Sequence, residues 1–245
     1  MADQDFTGKV AIVTGASRGI GRAIARALGG RGAAVAITAR KLDSSTGRGG
    51  TLRETLTMLQ QAGAHVIAVP ADITQEAGAR SVVEAAKQQL GRIDFLVNNA
   101  GMYPYATIVE QDPKEWHDMM AINVTAPFLM CQAALPVMIE QGSGHIFNVS
   151  SNSGSTYSEG HIAYATSKAG LNRFSMNLAE EVREHGIAVT SWSPGLIATD
   201  MSGWQGSDAK VVVDSVMWTL AQGPDTFTGQ VVRRADFGEA WGPRG

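Results

Sequence analysis

The stretch KVAIVTGASRGIGRAIARALGG, residues 9–30, decides the fold of this 245-residue chain. Residues 9–15 form a nearly continuous apolar run, which is typical of a strand buried on both faces. From residue 20 onward the apolar positions follow a helical period instead. Gly15, Gly19 and Gly21 lie between the two elements, where glycine permits a tight turn. The stretch therefore predicts a strand, a glycine-rich turn and a helix.

The same alternation of strand and helix continues along the chain. Further strands are predicted over 33–40, 65–73, 94–101, 144–151, 187–195 and 229–237, and helices from about residue 51 and over 75–91, 113–141 and 162–185. This order predicts one domain over 1–245 with a Rossmann-type α/β fold, a doubly wound parallel sheet with helices on both faces. Residues 41–50, KLDSSTGRGG, are predicted to be a surface loop insertion. Thr51 and Glu54 then have the spacing of a capping box.

Composition excludes several classes of function. A net charge of −3 provides no basic field for nucleic acid or an anionic membrane. Cys131 is the single cysteine, which excludes an intramolecular disulfide framework and a cysteine-based metal site. We find no signal peptide and no stretch of the roughly 18 apolar residues that a membrane span needs. We therefore expect a cytoplasmic protein without nucleic-acid, membrane or metal partners.

The glycine-rich turn TGASRGIG, residues 14–21, also indicates a ligand. A turn that leads from a strand into a helix presents backbone N–H groups and the positive end of the helix dipole to a pyrophosphate. An acidic residue after the second strand would favour NAD, but the chain reads Thr-Ala-Arg-Lys over 38–41. Arg18 and Arg40 would instead bind a 2′-phosphate, so the sequence favours NADP. The alternative is that Arg40 and Lys41 are only a solvated strand end.

Three motifs occur in order: TGASRGIG (14–21), NNAG (98–101) and Tyr164-Ala-Thr-Ser-Lys168. With them the chain resembles the short-chain dehydrogenase/reductase family from about residue 9 to residue 230. The resemblance implies an NAD(P)-dependent enzyme, usually oligomeric, that interconverts alcohols and carbonyl compounds. It also implies that Asn123, in AINV, is the active-site asparagine.

The resemblance further assigns cofactor contacts along the chain. Asp72 matches the residue that bonds the adenine amino group, the NNAG turn would line the middle of the cofactor, and Ile197 and Thr199 would meet the nicotinamide carboxamide. Together with the glycine turn, the expected cofactor-binding residues are Gly15, Ser17, Arg18, Gly19, Ile20, Gly21, Arg40, Asp72, Ile73, Asn99, Ala100, Gly101, Tyr164, Lys168, Pro194, Gly195, Ile197 and Thr199.

Residues 150–168 contain the candidate proton-transfer groups. Tyr164 and Lys168 are four residues apart in a helical pattern, so their side chains share a face. A neighbouring ammonium favours the phenolate, and we expect Lys168 to lower the Tyr164 pKa from about 10 toward the working range. Tyr164 would then protonate a carbonyl oxygen as hydride arrives at carbon. Ser151 lies thirteen residues earlier, the spacing found in this family, and would donate to the same oxygen, whereas Ser150 should point to the other face of its strand.

Other residues near these motifs keep alternatives open. Tyr157 is a candidate for the substrate wall or for a polar pair with His161, and His161 as a general base is a minority alternative. Residues 200–208 are expected to form a shortened substrate lid, with Asp208 as the N-cap of the next helix. Trp204 would either cover the substrate or pack on the surface. The expected apolar wall favours a hydrophobic ketone, aldehyde or secondary alcohol; its members are Met102, Tyr103, Tyr105, Tyr157, His161, Leu196, Met201 and Trp204.

The sequence thus predicts an NADP-dependent oxidoreductase that interconverts a carbonyl and an alcohol and assembles as a dimer or tetramer. The rival from another class is a non-catalytic dinucleotide-binding regulator, which has no need of the set Asn123, Ser151, Tyr164 and Lys168. An isomerase or dehydratase on the same fold would need further acid or base groups. A Ser-His-Asp hydrolase is disfavoured because no His and Asp are arranged around a strand-to-helix turn.

Overall fold

The computed structural model describes residues 4–43, 50–157 and 159–243. Within these ranges seven strands form one parallel sheet in the order β3-β2-β1-β4-β5-β6-β7. They are β1 (Val10–Thr14), β2 (Ala34–Ala39), β3 (Val66–Pro70), β4 (Phe95–Asn98), β5 (Gly144–Val149), β6 (Ile187–Ser193) and β7 (Gln230–Arg233). The strand order reverses between β1 and β4, and such a switch point leaves a crevice at the carboxyl ends of the strands.

Seven α-helices in the described ranges cover the two faces of the sheet. They are α1 (Gly19–Gly29), α2 (Leu52–Gln61), α3 (Glu76–Leu90), α4 (Pro113–Met120), α5 (Ala126–Gln141), α6 (Ile162–Val182) and α7 (Val213–Leu220). Alternate residues of β1 enter different cores: Ala11 and Val13 join one apolar cluster, and Ile12 joins the other. Both faces of the strand are therefore buried, which confirms the predicted doubly wound fold.

The predicted start of the second helix is also confirmed. The Thr51 hydroxyl accepts a hydrogen bond from the Glu54 amide at 3.1 Å, and the Glu54 carboxylate accepts one from the Thr51 amide at 3.2 Å. These two bonds satisfy backbone donors that the first turn of a helix leaves without intrahelical partners. Residues 44–49 of the predicted surface insertion lie outside the described residues.

The predicted helix over 113–141 contains a feature that its sequence pattern did not indicate. A π-helical turn, Ala121–Thr125, joins α4 to α5, and such turns are frequent at functional sites. An 18-residue window of this helical run has a mean hydropathy of 1.6, enough in length and composition to cross a membrane. The expectation that no stretch is apolar enough to span a membrane was wrong. It counted apolar residues in a run, and isolated uncharged polar residues interrupt this run without lowering its average hydropathy below the threshold. A core helix passes the same test, and one face of α5 packs in the core of the sheet through Met130, Ala134 and Met138.

Candidate active site

A cavity of about 1130 Å³ lies at the carboxyl ends of the strands, a size sufficient for an extended small molecule. It is bordered by the glycine turn after β1, by the segments that follow β2 to β6, and by the start of α6. Most of the predicted cofactor residues line it: Gly15, Ser17, Arg18, Gly19, Ile20, Arg40, Asp72, Ile73, Asn99, Ala100, Gly101, Tyr164, Lys168, Pro194 and Thr199. The fold thus brings together residues that are far apart in sequence.

Three predicted cofactor residues lie away from the cavity lining. Gly21 is buried in the first turn of α1. Gly195 is exposed in the turn after β6, with φ +75°. Ile197 is 3% exposed and belongs to an apolar core, and its carbonyl accepts a hydrogen bond from the Ser202 hydroxyl at 2.7 Å. All three belong to segments that border the cavity, and their predicted contacts with the cofactor remain predictions.

The glycines of the turn make room for the segment after β4. A Cβ at Gly21 would lie 2.4 Å from Asn99 Nδ2, and a Cβ at Gly15 would lie 2.8 Å from Ala100 Cα. Asn99 Nδ2 donates to the Thr14 carbonyl at 2.9 Å, so the NNAG turn is tied directly to the glycine turn. The sequence interpretation attributed these glycines to the approach of a pyrophosphate. The structure adds that two of them are needed for the protein's own packing.

The phosphate end of the cavity fits an anionic dinucleotide. The Arg18 side chain does not cap α1, and the first turn of α1 contains no acidic residue. Its N-terminal N–H groups and the positive end of its dipole therefore suit a pyrophosphate. Arg18 and Arg40 both border the cavity, as the NADP interpretation requires. Arg18 Nη1 also lies 3.0 Å from Asp200 Oδ2, an ion pair that the sequence did not indicate.

At the end of the cavity expected to hold the adenine ring, the candidate residues are Asp72 and Ile73. Asp72 is exposed, and its Oδ1 accepts hydrogen bonds from the Thr74 amide at 3.1 Å and the Thr74 hydroxyl at 2.7 Å. Ile73 is 6% exposed and borders the cavity. A carboxylate held by a local turn beside an apolar side chain is compatible with an adenine ring that has one amino group to bind.

Tyr164 and Lys168 are both buried on α6, at 8% and 5% exposure. Lys168 Nζ lies 5.7 Å from the centroid of the Tyr164 ring and donates to the Val149 carbonyl at 2.9 Å. Burial lowers the pKa of Lys168 to about 8. Burial raises the pKa of Tyr164 to about 12, against the effect of a hydrogen bond with Ser151. The expected lowering of the Tyr164 pKa was wrong for this structure, because removal of water disfavours the phenolate and the ammonium alike.

The two serines after β5 have different surroundings. Besides its bond with Tyr164, Ser151 accepts a hydrogen bond from the Ser153 amide at 3.2 Å. Ser150 is 2% exposed, and its hydroxyl donates to Asn172 Oδ1 at 2.6 Å. Ser150 itself borders the cavity, so the expectation that it points to the face opposite Ser151 stays a prediction.

Asn123 lies in the π-helical turn, fully buried behind the cavity. Its Oδ1 accepts from the Met102 amide at 3.0 Å, and its Nδ2 donates to the Met102 carbonyl at 3.1 Å and to the Ser167 hydroxyl at 3.0 Å. The side chain therefore joins the segment after β4 to the helix that carries Tyr164. This geometry suits a positioning role, and Asn123 does not line the cavity.

Tyr103 is a neighbour of Tyr164 that the motifs did not identify. Its ring packs edge-to-face on Tyr164 with centroids 4.6 Å apart, and its hydroxyl bonds to His161 Nε2. His161 Nδ1 lies 2.6 Å from the Glu159 carbonyl, which can only accept, so Nδ1 carries the proton and Nε2 accepts from Tyr103. The alternative pair of His161 with Tyr157 was wrong, because the Tyr157 side chain is fully exposed and away from the cavity.

The segment after β6 crosses the mouth of the cavity. It forms a short 3-10 turn, Asp200–Ser202, and Asp208 Oδ1 accepts from the Lys210 amide at 2.7 Å to begin a 3-10 turn that continues into α7. Trp204 borders the cavity, is 50% exposed and has φ +67°. This left-handed conformation is costly for a bulky residue. The placement favours Trp204 as a cover for the cavity over simple surface packing.

Comparison with known proteins identifies the family. The family model for short chain dehydrogenase matches residues 9–210. The chain therefore belongs to the short-chain dehydrogenase family, as the motifs indicated, and is an oxidoreductase of the class that binds a nicotinamide dinucleotide.

Individual relatives agree with this assignment. The chain is 34% identical over 233 residues to an uncharacterized oxidoreductase of Staphylococcus saprophyticus, covering 92% of this chain and 97% of the relative. It is 37% identical over 198 residues to the 3-oxoacyl-(acyl-carrier-protein) reductase FabG of Escherichia coli K12, covering 81% and 77%.

Two solved structures are similar over nearly the whole chain. A metagenomic short-chain oxidoreductase in complex with NADP gives a TM-score of 0.81 at 34% identity, over 93% of this chain and 97% of that one. A short-chain type dehydrogenase/reductase from Mycobacterium marinum gives a TM-score of 0.85 at 28% identity, over 94% of each chain.

Proposed function

We propose that this oxidoreductase uses NADP(H) to interconvert a hydrophobic ketone or aldehyde and the corresponding alcohol. The observation that supports it most is that Tyr164 and Lys168 line a cavity bordered by the glycine turn, with Ser151 hydrogen-bonded to Tyr164. The nicotinamide, when bound, supplies or accepts the hydride. The residues of the chain bind and orient the reactants and move the proton.

In the reducing direction, Ser151 and Tyr164 donate hydrogen bonds to the carbonyl oxygen and stabilise its developing negative charge. Tyr164 then transfers its proton to that oxygen. Because its pKa is about 12, the phenol carries this proton throughout the neutral range and is ready to act as an acid. Lys168, with a pKa of about 8, is mainly an ammonium at pH 7 and stabilises the phenolate that forms.

In the oxidising direction, the same tyrosine must accept the proton of the alcohol. A phenol with a pKa of about 12 is a poor base at neutral pH, so this direction depends more strongly on the ammonium of Lys168. Asn123 supports both directions by holding the Met102 segment against α6.

The preference for NADP(H) is supported by charge at one end of the cavity. Arg18 and Arg40 border it, and β2 ends without the acidic residue that would bind a free ribose hydroxyl. Guanidinium groups bind a phosphate bidentately. A related structure was solved in complex with NADP, which agrees with this proposal.

The hydrophobic substrate is supported by apolar side chains of the cavity. Met102, Tyr103, Met201 and Trp204 line it, and Met102 and Tyr103 pack in one apolar cluster with Tyr164. The Escherichia coli relative is named as a reductase of a 3-oxoacyl group, which is a carbonyl compound with an apolar chain. A ketone or aldehyde with an apolar substituent fits this wall.

We also propose that the protein is a cytoplasmic homodimer or homotetramer without nucleic-acid or membrane partners. Phe128 and Ile139 on α5 and Met176 on α6 are exposed apolar side chains that an assembly would bury. A monomeric mass by light scattering at micromolar concentration would contradict the assembly.

The function is tested with Tyr164→Phe and, as a matched control, Tyr157→Phe, which alters an exposed tyrosine away from the cavity. Single-turnover oxidation of NADPH is followed with a panel of apolar ketones and aldehydes. We expect Tyr164→Phe to slow the reaction at least about 100-fold, with NADPH affinity preserved and the control unchanged. Undiminished turnover in Tyr164→Phe would refute the mechanism. Tight NADPH binding without turnover of any carbonyl in the wild type would favour a regulator.

A further inference from the structure

A carboxylate lies at the phosphate end of the cavity. Asp200 borders the cavity, and its Oδ2 is 3.0 Å from Arg18 Nη1, with the two side chains 16% and 31% exposed. Asp200 Oδ2 is itself buried and has no hydrogen-bond partner within the described part of the chain. A buried carboxylate oxygen is costly unless a cation compensates it. The ion pair with Arg18 provides this compensation.

The ion pair joins two segments of different function. Arg18 belongs to the glycine turn that precedes α1, and Asp200 belongs to the segment after β6 that also contains Trp204. The two segments lie close together, since a Cβ added at Gly19 would lie 3.0 Å from Thr199 Cγ2. The ion pair therefore links the segment that contains Trp204 to the cofactor end of the cavity.

We propose that Asp200 is a specificity-determining residue for the cofactor, because it competes with the 2′-phosphate of NADP(H) for Arg18. This inference rests on the proposed preference for NADP(H). The phosphate carries more charge than a carboxylate and also binds a guanidinium bidentately, so it displaces Asp200. The exchange reduces the net gain from the 2′-phosphate, because the pair with Asp200 must break first. NADH does not require the exchange.

The same exchange couples the cofactor to the mouth of the cavity. Once Arg18 turns to the phosphate, Asp200 loses its cation and is repelled by the new anion. The segment over 199–204 then loses its charged attachment to the glycine turn. Binding of NADP(H) therefore removes this charged attachment of the segment that carries Trp204.

The test compares Asp200→Asn, which removes the charge at nearly constant size, with Asp200→Glu, which retains it. Asp214→Asn is the matched control, since it changes the net charge equally at an exposed position on α7. Dissociation constants for NADPH and NADH are measured by calorimetry at low ionic strength. We expect Asp200→Asn to bind NADPH at least about threefold more tightly, with a smaller change for NADH. Asp200→Glu and Asp214→Asn should remain close to wild type, and added salt should reduce the difference.

Three outcomes would overturn the inference. NADPH affinity that is unchanged or weaker in folded Asp200→Asn would show that Asp200 does not compete with the phosphate. An equal gain for NADH would indicate general charge repulsion instead of competition for Arg18. A lower melting temperature with equal loss of both nucleotides would show a purely structural ion pair. If the wild-type protein binds neither nucleotide, or prefers NADH, the proposed cofactor is refuted together with this inference. If the wild type prefers NADPH and Asp200→Asn has no effect, only this inference is refuted.

Discussion

Replacement of Lys168 by methionine should raise the free energy of unfolding while it abolishes turnover. The Lys168 side chain is 5% exposed, and burial lowers its pKa from 10.5 to about 8. Each pKa unit corresponds to about 1.4 kcal/mol, so holding the ammonium in this site at pH 7 costs roughly 3 kcal/mol. Methionine has a similar length and carries no charge that loses hydration on burial.

The gain is partly offset by a lost hydrogen bond. Lys168 Nζ donates to the Val149 carbonyl at 2.9 Å, and methionine leaves that carbonyl without this donor. Such a loss costs about 1–2 kcal/mol. We therefore expect Lys168→Met to be more stable than wild type by about 2 kcal/mol at pH 7. A residue kept at this cost to stability is expected where function requires it.

The dependence on pH has a definite sign. Because the folded pKa of Lys168 is below its ordinary value, the unfolded chain binds more protons between about pH 8 and pH 10.5. Wild-type stability attributable to this group therefore rises with pH through that window. The cost of the buried ammonium should be complete below pH 8 and absent above pH 10.5, where the lost hydrogen bond leaves Lys168→Met about 1–2 kcal/mol less stable than wild type.

The assay is urea unfolding followed by tryptophan fluorescence at pH 7 and pH 10. Lys210→Met, at an exposed lysine, is the matched control for the loss of one positive charge. A Lys168→Met variant that is destabilised at pH 7 would refute the argument. The same would follow if the difference between variant and wild type were equal at the two pH values.

Two further predictions concern buried positions. His145 is 1% exposed, and burial lowers its pKa from 6.5 to about 4. As the pH falls, His145 is therefore protonated at a higher pH in the unfolded chain than in the folded protein. Stability should therefore decrease by up to roughly 3 kcal/mol between pH 6.5 and pH 4. A urea series in which a His145→Gln variant keeps the full wild-type pH dependence would contradict this. Gly21→Ala places a Cβ 2.4 Å from Asn99 Nδ2 and 2.5 Å from the Gly15 carbonyl. It should cost about 1–3 kcal/mol through overpacking and weaken NADPH binding; a variant with wild-type stability and affinity would show that the turn can relax.

The elements of this fold were predictable because their signals are local. The apolar run over 9–15 and the helical period after it identify β1 and α1, and Thr51 with Glu54 places the start of α2. The pattern over 113–141 predicts a helix but cannot reveal the π-helical turn at Asn123, because one additional residue in a turn does not disturb an apolar average. The order of the strands in the sheet could not be predicted from the hydrophobic pattern either, since the pairing of β1 with β4 joins segments about 80 residues apart.

The candidate site likewise has features that the sequence predicts and features that depend on the tertiary structure. By itself the sequence determined that Tyr164 and Lys168 share a face through helical spacing, and both line the cavity. Only the tertiary structure decided the pairs Tyr103 with His161 and Arg18 with Asp200, and the pKa of Tyr164. Spacing along one helix or strand is a property of a few consecutive residues. Partners and pKa values depend on which distant segments pack together and on how much water that packing removes.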